Sequence, residues 1–331
     1  MIIRTRTKGF LRLAVAFCLL VLAAPAAGDG WQPTKPVEWI VMGPEGGRVD
    51  RFARTLARVV TELGGLPQPL AVTNRRQGFP GDPLEHLKNR EGDPHFIVLT
   101  SAAYLTMPLL NPSLGVDIQS FTPIAGMADD SLQFWVRRDR AEKTVGQMAA
   151  VQFDTGGDPT RIGFRHDDDE DWLALKALEK GVALKLAPVR YRSSRGAPKD
   201  LVRGFLDGAI ATPGEAGGFW ATERVRPMTN FSPLEPPGTG TGVVPPIRVA
   251  ETDVAALALP RAIVAPGRIS VEAQSFYEKL FHAVDSSEPW RQYLADHRLV
   301  PAWTAGLELT KKLVAAREGY RKFLKDLGEI E

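Results

Sequence analysis

Cysteine is almost absent from this 331-residue sequence: Cys18 is the only one, and it lies in an apolar run near the N-terminus. Disulfides and cysteine-ligated metal sites are therefore excluded for the rest of the chain. No second apolar run approaches the roughly 20 residues that a membrane-spanning helix needs. Basic residues do not form a stripe with interleaved aromatic side chains, so nucleic-acid binding is not indicated.

Motifs for catalysis are also missing. There is no GxSxG segment, and the five histidines are scattered along the chain. Ser101 follows an apolar run, but Ala102 and Ala103 after it do not form the strained turn that exposes a nucleophile. A nucleophile also needs a base within reach, and the sequence pattern supplies none. We therefore do not expect an enzyme.

Residues 1–27 have the three parts of a secretory signal peptide: a basic start, the apolar run Leu13–Ala23, and the small residues Ala24-Pro25-Ala26. A membrane anchor is the alternative, although the apolar run is short for a bilayer. This segment carries four basic and no acidic side chains, so without it the formal charge falls from +2 to −2. We expect an exported protein that is slightly acidic after cleavage.

The rest of the chain is organised around residues 37–63. An apolar run, Val37–Met42, leads into the turn Gly43-Pro44-Glu45-Gly46-Gly47, and apolar residues then recur at helical spacing from Phe52 to Leu63. This order predicts the strand, glycine turn and helix that open an α/β sheet. The unpaired N–H groups at such a helix start suit an anion. The turn lacks the lysine and hydroxyl of a Walker loop, so a plain tight turn is the alternative.

Further strands and helices alternate along the chain in two blocks, and the chain leaves the first block and returns to it. We predict a signal peptide at 1–27, a first α/β lobe from 28–127 and 251–331, and a second α/β lobe from 128–250. A cleft between two lobes, at the ends of their strands, is a common place for a small ligand.

Several motifs, taken in order, resemble the receptors of tripartite tricarboxylate transporters, also called Bug receptors. Residues 43–50 (GPEGGRVD) resemble the family's PPGGxxD turn, and residues 73–75 (TNR) its ENR strand end. Residues 100–125 keep its threonine-serine loop, an Asn-Pro pair and the run FTPIA. Residues 188–192 (PVRYR) resemble VPYKG, and residues 265–267 (APG) match APxGTP. The resemblance covers nearly the whole chain after the signal peptide.

This resemblance implies an α/β, two-lobed periplasmic binding protein (type 2-like) that closes like a hinge on a small organic acid. In the family, two strand-to-helix loops hold a carboxylate by backbone N–H groups, hydroxyls and water; they correspond here to residues 43–48 and 163–169. No catalytic residue, cofactor or metal is implied. The expected partners are the solute and the membrane subunits of a transporter or a sensor, and we expect a periplasmic monomer. The ligand-binding residues carried over are Gly43, Glu45, Gly46, Gly47, Arg48, Asp50, Ser101, Ala102, Phe164, Arg165, His166, Asp167, Arg192 and Thr212.

The second loop departs from the family pattern, which is rich in glycine, serine and threonine. Here residues 164–171 read FRHDDDED, and Glu45 adds a carboxylate to the first loop. At 5 Å, each repulsion with a bound carboxylate costs about 1 kcal/mol even at a dielectric near 60. Arginines can offset this because they grip carboxylates with paired hydrogen bonds; the candidates are Arg48, Arg165 and Arg192.

Three interpretations of the ligand therefore stay open. It is a carboxylate held by arginines, with the acidic run turned outward to cap the next helix; or it carries an amine; or it is a hard cation such as calcium. A fourth hypothesis is an orphan sensor or interaction protein that keeps the fold.

Overall fold

The computed structural model describes residues 30–75, 83–165, 169–182, 184–193, 195–232, 248–249, 252–253 and 259–331. The predicted signal peptide lies outside this set, as do His166 and Asp167 of the second loop. Most of the proline- and glycine-rich segment 232–246 is outside it as well. Within the described residues, no helix combines the length and apolar content that crossing a membrane requires.

A six-stranded mixed sheet forms the first half of the structure. Strands β1, β2 and β3 are parallel, with β1 in the middle, whereas β12 and β13 run antiparallel to their neighbours. Strand β1 is buried at nearly every position, as expected for an inner parallel strand covered on both faces. In spatial order the strands are β13 (Val300–Ala305), β4 (Thr122–Asp130), β12 (Leu259–Ala265), β3 (Phe96–Leu99), β1 (Val37–Met42) and β2 (Leu70–Arg75).

A five-stranded sheet forms the second half. Strand β6 pairs in parallel with β7 and β8, and β5 pairs antiparallel with β8 and β9. In spatial order the strands are β7 (Leu186–Tyr191), β6 (Thr160–Arg165), β8 (Gly208–Ala211), β5 (Gln133–Arg137) and β9 (Val225–Asn230). A short antiparallel pair, β10 (Arg248–Val249) and β11 (Thr252–Asp253), precedes the return to β12. The division into two lobes at the predicted boundaries stays our proposal.

Helices pack on both sheets. Those around the first sheet are α1 (Arg48–Glu62), α2 (Pro83–Lys88), α3 (Ala102–Leu110), α8 (Val271–Asp285), α9 (Glu288–His297) and α10 (Gly306–Leu327). Those around the second sheet are α4 (Val145–Thr155), α5 (Asp169–Gly181), α6 (Gly196–Val202) and α7 (Pro213–Ala221). The sequence prediction of a mixed α/β protein with strand, glycine turn and helix at 37–63 is confirmed.

Three apolar clusters hold these layers together. One belongs to the first sheet and includes Trp39 and Phe281, and a second belongs to the second sheet and includes Trp135. The third is shared: Leu173 of α5 and Tyr320 of α10 are among its buried members. Each sheet therefore keeps a core of its own, while α5 also joins the second sheet to the first by apolar packing.

Several elements were not expected from the sequence, α3, β9 and β13 among them. Residues 101–104 were predicted as a loop, but α3 begins directly after Ser101, whose extended backbone starts the helix. Strands β9 and β13 were missed because each contains a proline, Pro227 and Pro301. Both strands lie at the edge of their sheet, where the missing N–H of proline breaks no interior ladder.

The contact between α7 and α9 gives a test of this packing. A Cβ added at Gly214, near the start of α7, would lie 2.5 Å from the backbone O of His297, whereas one at Gly218 would meet nothing within 4 Å. Helix propensity alone favours alanine at either position by roughly 0.5–1 kcal/mol. We expect Gly218→Ala to raise the free energy of unfolding in urea and Gly214→Ala to lower it by about 1–3 kcal/mol. Equal effects of the two substitutions would show that α7 does not pack on α9 in this way.

Candidate functional site

The turn before α1 is held by side chains from its own helix. Gly46 has a φ of +71°, which glycine adopts without strain. Its N–H donates to Asp50 Oδ2 at 2.8 Å, and Arg54 Nε donates to Asp50 Oδ1 at 2.9 Å. Burial alone would raise the pKa of Asp50, but the bonds from Arg54 and Gly46 outweigh it and lower the pKa. Asp50, which is expected to bind the ligand, fixes the turn that precedes the helix.

Arg165 lies at the end of β6, opposite this turn. The whole residue is 5% exposed, and Nε and Nη1 are buried without a hydrogen-bond partner in the part of the chain that the structure describes. A Cβ built on Gly47 would lie 3.5 Å from Arg165 Nη2, so the guanidinium lies against the start of α1. Gly47, the residue at which that helix starts, has no side chain to cap it. A buried cation beside the positive end of a helix is unfavourable unless an anion joins it.

Arg48, the first residue of α1, binds carboxylates from the second half of the structure. Its Nη2 donates to Asp171 Oδ1 at 2.6 Å and lies 3.4 Å from Glu170 Oε2, both on α5. Its Nη1 donates to Glu215 Oε2 on α7 at 3.1 Å. All four side chains are less than 10% exposed. Arg48 is therefore engaged by the protein's own carboxylates.

Glu170 accepts further hydrogen bonds from two other elements of the first half of the structure. Its Oε1 accepts from the Ala102 backbone N–H at 3.1 Å and from Arg261 Nη1 at 2.8 Å, and its Oε2 accepts from Arg261 Nη2 at 2.9 Å. Arg261, on β12, is 1% exposed and also donates to Asp130 at 2.8 Å. Burial opposes ionisation of Glu170, but Arg261 and then Arg48 outweigh it and lower its pKa to about 2.

A cavity of about 250 Å³ adjoins these ion pairs. Arg51 and Tyr293 line it from the first half, and Arg195 and Glu215 line it from the second. Glu215 Oε1 is buried and has no hydrogen-bond partner among the described residues. Its wall thus combines cationic, anionic and aromatic groups, as a site for a small polar molecule would.

The structure brings together several of the residues expected at the site. Gly47, Arg48 and Arg165 lie around the start of α1, as described above. Ser101 and Ala102 stand at the start of α3, where Ser101 Oγ is buried without a hydrogen-bond partner among the described residues. Thr212 caps α7 by accepting from the Glu215 N–H and lines the cavity.

Other expected residues point elsewhere. Gly43 contributes its carbonyl oxygen to Asn74, and the Glu45 side chain is 84% exposed, so its charge is turned to solvent. Arg192 is exposed beyond the end of β7, and Phe164 is buried in the shared apolar cluster. His166 and Asp167 lie outside the described residues. The participation of the expected residues in binding stays a prediction.

Sequence reasoning missed the buried acidic groups and their arginine. One of the open interpretations turned the acidic run before Trp172 outward to solvent. Glu170 and Asp171 do not follow it, because both are buried against Arg48. Arg261 stands inside the apolar run LPRAIVA, and a lone arginine in a buried strand signals a buried acidic partner. Glu215 lies three residues after Thr212, a spacing that predicts a capping box at the start of α7.

Comparison with solved structures gives the fold a precedent. Rpa4515 of R. palustris, solved with adipate, superposes with a TM-score of 0.69 at 17% identity, covering 89% of this chain and 98% of that one. A TctC solute-binding protein from Polaromonas superposes with a TM-score of 0.65 at 19% identity, covering 88% of this chain and 99% of that one. MatC of Rhodopseudomonas palustris, with bound malate, gives 0.66 at 16% identity, covering 89% and 99%.

This is the fold of TctC-type solute-binding proteins. The fold expected from the sequence resemblance is thereby confirmed. No family model matches the sequence. A curated relative from Pseudomonas sp. strain P51, a UPF0065 protein in the tcbD-tcbE intergenic region, is 27% identical over 180 residues. That match spans 53% of this chain and about half, 52%, of the relative.

The calcium interpretation has no support in the described residues, where no group of three or more histidine, cysteine, aspartate or glutamate side chains is arranged to hold a metal ion. Residues 166–168 of the acidic run are outside that search. The acidic side chains that are described, Glu170 and Asp171, bind arginines.

The lowered pKa of Glu170 predicts a pH dependence of stability. Its pKa falls from the usual 4.5 to about 2 on folding, so its stabilisation is complete above about pH 5 and is lost as the pH falls towards 2. This loss amounts to roughly 3 kcal/mol. Urea denaturation measures the free energy of unfolding of wild type and of Glu170→Gln. The difference between the two values should fall by that amount between about pH 6 and pH 2. Other carboxylates such as Asp50 titrate in both proteins, so their contributions cancel in this difference. If the free energies of unfolding of the two proteins change in parallel with pH, the ion pairing of Glu170 is contradicted.

Proposed function

We propose that this protein is a periplasmic solute-binding receptor that captures a small organic anion, most directly a carboxylate. The Arg165 guanidinium carries this proposal. It is buried, it has no hydrogen-bond partner at Nε or Nη1 among the described residues, and it lies against the uncapped start of α1. A carboxylate placed there would accept paired bonds from the guanidinium and face the helix amides.

Two further features support a receptor over an enzyme. The fold is shared with solute-binding proteins, two of which were solved with the dicarboxylates adipate and malate. The two sheets meet at the proposed site with contributions from both, as in proteins whose lobes close on a ligand. We infer that the N-terminal segment directs export, and that the loaded receptor delivers its solute to membrane subunits of a tripartite tricarboxylate-type transporter.

A second candidate function is an orphan sensor or interaction protein with the same fold. It is favoured by the ion pairs of Arg48 and Arg261, because they join the two halves through the protein's own carboxylates. Such a protein would contact a membrane partner through its own surface, without binding a solute. A third, a receptor for an amine, is favoured by the buried Glu215 Oε1 at the cavity.

Replacing Arg165 tests the receptor proposal. We expect Arg165→Gln to weaken binding of dicarboxylates of three to six carbons by roughly ten- to a hundredfold, since a hydrogen bond to a charged group contributes about 1.5–3 kcal/mol. Without solute, the same variant should unfold at an equal or higher temperature, because it removes a buried cation that has no ion-pair partner among the described residues. Thermal shift followed by calorimetry measures both effects.

Arg161→Gln is the matched control, because Arg161 lies on the same strand, β6, but its side chain is half exposed and pairs with Asp207. It should leave affinity unchanged. If no dicarboxylate shifts the melting temperature of the wild type while an amine does, the amine receptor replaces this proposal. If no small molecule shifts it, the sensor is supported.

A further inference from the structure

The Glu170 carboxylate belongs to α5 of the second half, yet its hydrogen-bond donors described above come from the first half. They lie on three separate elements: the amide of Ala102 at the start of α3, Arg261 on β12 and Arg48 on α1. Two oxygens thus receive a helix-terminal amide and a paired guanidinium. This is the environment that a protein builds for a bound carboxylate.

The fit of this environment is selective for an anion. Arg261 offers both of its terminal nitrogens to the two oxygens of Glu170, at 2.8 and 2.9 Å, which is the side-by-side geometry of an arginine–carboxylate pair. Glu170 is 4% exposed and Arg261 is 1% exposed, so neither charge is satisfied by solvent. Neighbouring pairs extend the contact: Asp171 and Glu215 share Arg48.

We infer that Ala102 N–H, Arg261 and Arg48 form a carboxylate-binding site whose occupant is the Glu170 side chain, an internal ligand that joins the two halves in the absence of solute. Its donors are different groups from the Arg165 guanidinium proposed for the solute, and the inference stands whether or not a solute binds at Arg165. Joining of the two halves then requires no solute, and a solute at Arg165 binds to a protein whose halves are already in contact.

Removing the side chain and supplying it again as a free molecule tests the inference. Glu170→Ala deletes a CH₂–COO⁻ group, which acetate closely resembles in size and charge. We expect the variant to melt several degrees below wild type, and sodium acetate to raise its melting temperature progressively relative to sodium chloride of the same concentration. The difference between the two salts should be clearly smaller for wild type, because Glu170 fills this site and only binding at Arg165 and general salt effects remain.

Two control variants separate this effect from general ones. Glu318→Ala also removes a helical glutamate, but one that pairs with Arg321 at an exposed position, so acetate should stabilise it no more than it stabilises wild type. Glu170→Gln keeps the site filled and removes the charge, so it should lose stability and gain no more from acetate than wild type does. If Glu170→Ala does not fold in chloride, recovery of soluble, cooperatively melting protein in acetate becomes the measurement.

A double variant distinguishes this inference from the proposed function. In Glu170→Ala with Arg165→Gln, acetate should stabilise as strongly as in Glu170→Ala alone. If the stabilisation disappears with Arg165, acetate was binding at Arg165, which overturns the internal ligand and supports the solute site. Absence of any acetate effect on Glu170→Ala, or an equal effect on wild type, also overturns it.

Discussion

The arrangement of the two sheets depends on buried arginine–carboxylate pairs. Arg48 and Arg261 come from the first half, and Glu170, Asp171 and Glu215 come from the second. Burying any one of these charges alone would be strongly unfavourable, and removing one partner of such a pair typically costs 3–5 kcal/mol. The position of α5 over the starts of α1 and α3 therefore follows from charge satisfaction as well as from the apolar packing of Leu173 and its neighbours.

This constraint also shapes where a solute can bind. A receptor of this fold could present Arg48 and the α3 amide to an incoming carboxylate, but here Glu170 and Asp171 already accept from them. Arg165 is different, because its guanidinium is buried against Gly47 with Nε and Nη1 unbonded among the residues described. Arg48 and Arg261 are thus neutralised by the protein's own carboxylates, while Arg165 remains for a ligand. The proposed solute site and the internal ligand therefore involve different atoms.

The sequence predicted the architecture because strand, glycine turn and helix at 37–63 and the ordered motifs after it are local features. It also predicted that Arg48 and Arg165 would lie near the start of α1. It did not predict that Glu170 and Asp171 turn inward, because a charged run before a helix usually faces water. Arg261 is distant in sequence from Glu170, and their pairing depends on the chain's return to the first sheet, which no local pattern specifies. Strands β9 and β13 were not predicted because each contains a proline. Proline is tolerated in them because they lie at sheet edges, and only the order of the strands in the sheet shows this.

The most direct measurement is the distance between the two halves in solution without solute. Spin labels can be placed at two exposed positions, Val151 on α4 and Val271 on α8, with Cys18 replaced by serine. Double electron–electron resonance on the solute-free protein should then give one narrow distance distribution, which broadens to longer distances in Glu170→Ala and narrows again in acetate. A broad distribution in the solute-free protein, unchanged by loss of Glu170, would contradict the claim that its own carboxylates hold the two halves together.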